Sequence, residues 1–107
     1  MAAYTGAAEG GGRLYIEDFP AAGPLTEDAV DALMTVAGRY TSALTLTVAD
    51  RTVQLPVLPV CWTELPIRAG TPITVEAARG YRPADTEDRT ALRDFVATFQ
   101  RATGASR

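Results

Sequence analysis

The period of hydrophobic and polar positions changes repeatedly along the chain, and each change marks an element. Arg13-Leu14-Tyr15-Ile16-Glu17 alternates as a first strand. Phe19 to Pro24 reads as a loop from its Pro and Gly content. Val30, Leu33, Met34 and Ala37 then fall at i, i+3, i+4 and i+7, which predicts a short amphipathic helix over 27–38. Thr26 is its expected N-cap, Glu27 and Asp28 suit the dipole of its first turn, and Gly38 is its stop. Leu44, Leu46 and Val48 alternate with Thr45 and Thr47, Ala49-Asp50 reads as a tight turn, and Arg51 to Leu55 alternates again. Residues 42–55 therefore predict a hairpin. Pro56, Pro59 and Pro66 leave 56–66 irregular, or at most one helical turn. Pro72 to Ala77 alternates as a fourth strand. After a loop over 79–85, Thr86 is expected to cap a second long helix. Its inward stripe is Ala91, Leu92, Phe95, Val96 and Phe99, and its outward face holds Arg89, Arg93, Asp94 and Arg101.

The order β-α-β-β-(short element)-β-α predicts an α+β fold. It is a two-layer open-faced sandwich, with a four-stranded, mainly antiparallel sheet and both long helices on one face. Leu14, Ile16, Leu44, Leu46, Val53, Ile73 and Val75 are expected to share one core with Val30, Leu33, Phe95 and Phe99. The first helix is expected to make a right-handed crossover between strands 1 and 2. With 107 residues there is room for one domain, placed over 13–102. A flexible Ala- and Gly-rich tail is expected over 1–12, and a short polar one over 103–107.

Composition narrows the chemistry. The ten cationic side chains are all arginine, thirteen carboxylates oppose them, and the net charge is -3. No basic run is present, which argues against nucleic acid or an anionic membrane as partner. The absence of histidine removes His ligands, catalytic triads and phosphohistidine; the absence of lysine removes Schiff-base chemistry. The single Cys61 excludes an internal disulfide or a multi-cysteine metal site. No spacing nominates a carboxylate pair for acid–base work, and Gly10-Gly11-Gly12 lacks the lysine and preceding strand of a phosphate loop. The expectation is a protein that is not an enzyme and uses no cofactor or metal. The N-terminus has no basic and apolar leader pattern. The most apolar stretch, Leu55 to Trp62, is far short of the ~20 residues of a membrane helix. A cytoplasmic location is expected.

Three stretches carry a resemblance: Tyr40-Thr-Ser-Ala-Leu-Thr-Leu-Thr47, Gly70-Thr-Pro-Ile-Thr-Val-Glu-Ala77, and the acidic start of the last helix from Asp85. With the element order, they resemble the second strand, fourth strand and closing helix of the histidine-containing phosphocarrier (HPr) family of the sugar phosphotransferase system. The resemblance spans about residues 13–100 and rests on order and spacing. It implies a phosphoryl site at the start of the first helix, in a Gly-Leu-His-x-Arg-Pro motif. Here that stretch reads Pro24-Leu25-Thr26-Glu27-Asp28-Ala29. Thr26 stands at the phosphorylated histidine and Asp28 at the arginine. A phosphoryl group would there meet two carboxylates instead of a guanidinium. Some family members also carry a regulatory serine before the short second helix; Leu55-Pro56-Val57-Leu58 has none.

The resemblance implies an HPr-like domain without carrier chemistry, acting as a protein-binding or regulatory module. In the family the short second helix is exposed, apolar and meets partner proteins. Leu58, Val60 and Trp62, beside Leu25, are accordingly the candidate partner surface, with Leu58 as the more exposed contact and Trp62 partly buried. Two other readings stay open. One is a phosphocarrier with a non-histidine acceptor, Thr26 or Asp28. The other is an unrelated small α+β regulator, such as an anti-sigma antagonist or an antitoxin-like protein.

Overall fold

The structure, a computed structural model, describes residues 14–80 and 86–104. The tail expected over 1–12 and most of the loop before the last helix lie outside the described residues. Four strands, β1 (Leu14–Pro20), β2 (Ala43–Val48), β3 (Arg51–Gln54) and β4 (Pro72–Ala78), form one sheet in the order β1-β4-β2-β3. Every neighbouring pair is antiparallel. β1 and β2 therefore run parallel with β4 between them, and α1 (Glu27–Ala37) crosses over β4 as the helix of a split β-α-β unit. α3 (Thr86–Gly104) packs on α1, β4 and β1. A helical run between β3 and β4 covers the β2 side; its central turn is α2 (Leu58–Cys61). The fold is the expected two-layer α+β sandwich.

β2 and β4 behave as their alternation requires. Leu44, Leu46 and Val48 face inward with Ile73, Val75 and Ala77, and Val53 packs at the margin. The open face is polar. One row crosses all four strands as Asp18, Thr74, Thr47 and Thr52, with the Thr74 hydroxyl donating to Asp18 at 2.6 Å and the Thr47 and Thr52 hydroxyls 3.1 Å apart.

β1 corrects the expected core. Tyr15 and Phe19, not Ile16, are its buried residues, and Ile16 is half-buried opposite Glu76. The Leu14 side chain lies outside the described residues. Directly paired residues share a face, so the register Tyr15↔Ala77 and Phe19↔Ile73 aims both aromatic rings at the helices. This strand carries large apolar groups on both parities, and the choice that buries two aromatic rings wins. Phe19 meets Phe99 edge to face, with ring centroids 5.3 Å apart.

The α1 stripe is rotated by one position from the expected one. Ala29, Val30, Leu33 and Val36 are buried, whereas Met34 and Ala37 are only partly covered. Two ends also shift. Thr86 is the first residue within α3, so the capping position falls outside the described residues. α3 continues to Gly104, with Thr103 buried and its hydroxyl donating to the Phe99 carbonyl at 2.7 Å, so the domain extends past residue 102. Gly23 is fixed by this helix end, because a Cβ there would collide with the Thr103 carbonyl oxygen.

Candidate functional site

The start of α1 is built as a helix cap. Thr26 is extended (φ -128, ψ 169), and its Oγ1 accepts from the Ala29 N–H at 3.1 Å. Leu25 is buried beneath the turn, so it is not available to a partner. Glu27 and Asp28 are exposed in the first turn, and the helix contributes no basic residue there. The free N–H groups of a helix start attract an anion, but here one is taken by Thr26 and the same turn carries two carboxylates. The arrangement caps a helix well and is poorly suited to a phosphoryl group.

The segment after β3 is a run of three short turns, Leu55–Val57, Leu58–Cys61 and Trp62–Glu64. None exceeds about one α-helical turn, in accord with the prolines. Pro56 and Pro59 are each the second residue of their turns, still within the stretch where a missing N–H costs nothing and the fixed φ suits a helical start. The run therefore has helical periodicity, and Leu55 and Leu58 both point inward. Leu58 is fully buried, which overturns its expected role as the exposed contact. The compact apolar surface of Leu58, Val60 and Trp62 does not form. Among the described residues, Val60, 82% exposed, and Val57, 49% exposed, are the exposed large hydrophobic residues, while Trp62 packs partly against the core.

The end of the sheet away from the α1 start holds two features that sequence reasoning missed. The first is a buried carboxylate cluster at the start of α3. Glu87 accepts from the Thr41 N–H and, at 2.5 Å, from its hydroxyl. Asp88 Oδ1 accepts from the Ser42 hydroxyl at 2.5 Å and from the Gly80 N–H at 2.8 Å. Both acids are nearly inaccessible to solvent. A Cβ on residue 80 would sit 2.5 Å from Ser42 Oγ and 2.6 Å from Asp88 Oδ1, so only glycine admits this cluster. Farther along α3, the Tyr40 hydroxyl donates to Asp94 at 2.7 Å, and Arg39 lies 3.6 Å from the same oxygen. That hydrogen bond, with partial burial, raises the tyrosine pKa above its ordinary 10.0. Asp94 is thus a partner of the α1–β2 connection and not part of a merely solvated face.

The second feature is a groove of about 380 Å³ between the last turn of α1, the start of β2 and Leu55-Pro56. Met34 and Ala37, only partly covered by the core, line it. Arg79, at the end of β4, also lines it. Among the described residues, no group of three or more His, Cys, Asp or Glu could hold a metal ion, and no helix is long and apolar enough to cross a membrane. Compared with protein-family models, with curated proteins and with solved structures, the chain finds no match.

Proposed function

We propose that the chain is an HPr-like domain that has no phosphocarrier chemistry and works in the cytoplasm as a protein-binding or regulatory module. The observation that supports this reading is the make-up of the α1 start in an α+β sandwich with the expected element order. The element order along the chain and the short helical run between β3 and β4 are in keeping with the resemblance. The helix start that would hold its phosphoryl group is instead a threonine cap under two exposed carboxylates. A module of this kind acts through its surface. With Leu25 and Leu58 buried, the exposed apolar side chains left for a partner among the described residues are Val57 and Val60.

The test is a paired capture from the native cell extract, using the wild-type chain and Val60→Asp as baits. Val60 is so exposed that the variant is expected to unfold within a degree or two of wild type. A specific protein held by the wild type and released by the variant supports the reading. Identical protein sets on both baits would contradict it.

A further inference from the structure

We propose that the groove at the end of α1 binds a small aliphatic carboxylate, with Arg79 as its anion contact. Its volume, about 380 Å³, falls in the range of small-molecule sites. Met34, Leu44, Leu55 and Pro56 supply aliphatic walls, and Thr45 and Arg79 supply polar groups. This mixture suits an apolar tail with one charged head.

The charge of the head follows from Arg79. Among the described residues no carboxylate pairs with this guanidinium. The nearby acids are engaged elsewhere: Asp88 with Ser42 and Gly80, Glu87 with Thr41. Arg79 is also held at φ 66, a left-handed conformation that costs a residue with a side chain and costs glycine little. The chain needs a turn here, because the next N–H must reach Asp88. That need accounts for the backbone and not for an arginine, since glycine would make the same turn with less strain. Arg79 is solvent-exposed and stands at the rim of an aliphatic groove, at a backbone cost that glycine would avoid, and this placement points to a ligand with an apolar tail and an anionic head.

The experiment titrates octanoate into the full chain, following backbone amide shifts, with octan-1-ol as the uncharged probe. Octanoate is expected to saturate and to shift Ala37, Ser42, Leu44 and Thr45, and to bind about tenfold or more tightly than the alcohol. Arg79→Gly is expected to unfold at the same or a higher temperature while losing the octanoate response. Arg79→Gln, which keeps the backbone cost and removes the charge, is expected to lose it as well. Equal binding of acid and alcohol, an undiminished response in either variant, shifts confined to other surfaces, or no saturable response would each overturn the proposal.

Discussion

Replacing Phe99 by alanine is expected to destabilise the domain by about 3–5 kcal/mol, the usual effect of truncating a fully buried phenylalanine. Phe99 has no solvent exposure and joins the two layers. From α3 it meets the Phe19 ring of β1 at 5.3 Å and the Phe95 ring at 6.4 Å. The cavity would open between α3 and the sheet, where the backbone of neither element can collapse readily. A domain of this size has about 5–15 kcal/mol of stability in total, so the variant would be near its unfolding threshold at ambient temperature. Urea denaturation should show a much lower midpoint. An unfolding free energy within about 1 kcal/mol of wild type would mean that Phe99 is not at the centre of the core.

The second large effect is expected at Asp88. Asp88→Ala leaves the buried Gly80 N–H without its acceptor and frees the half-buried Ser42 hydroxyl, a loss of about 1–3 kcal/mol. Asp88→Asn keeps an acceptor oxygen at the same place and should retain more than half of that stability. Ser42→Ala in the Asp88→Ala background should cost little, because its partner is already gone. Additive single and double variants in such a cycle would contradict the network.

Much of the fold was legible in the sequence, for reasons that differ by element. β2 and β4 alternate strictly between aliphatic and polar residues, so one face was the only possible inside. α3 shows one apolar stripe, and Phe95 and Phe99 are buried where that stripe puts them. β1 was ambiguous because Leu14, Tyr15, Ile16 and Phe19 offer two apolar faces, and only the pairing with β4 selects one. The run from Leu55 to Glu64 looked irregular because prolines break helices from within. The position of Pro56 and Pro59 in the first turn of the first two short elements, which sequence does not show, restores a helical period and buries Leu58.

The candidate sites divide in the same way. Thr26 reads as a cap from local sequence and is one, since a cap bonds to the N–H three residues on. The Glu87 and Asp88 cluster was invisible because its partners Thr41 and Ser42 lie 46 positions away. An acidic pair in a first turn suits the helix dipole whether or not it is buried. The signal that was present is Gly80, a glycine outside any hairpin turn, which marks a close approach by something else.

Phosphoryl transfer tests the central claim most directly. The chain would be incubated with phosphoenolpyruvate and a general phosphotransferase, with a histidine-bearing carrier in the same mixture as the internal control, and read by intact mass. The carrier should gain one phosphate while this chain keeps its mass, because Thr26 is a cap and Glu27 and Asp28 repel the incoming group. A stoichiometric gain of one phosphate that disappears in Thr26→Ala or Asp28→Ala would contradict the account.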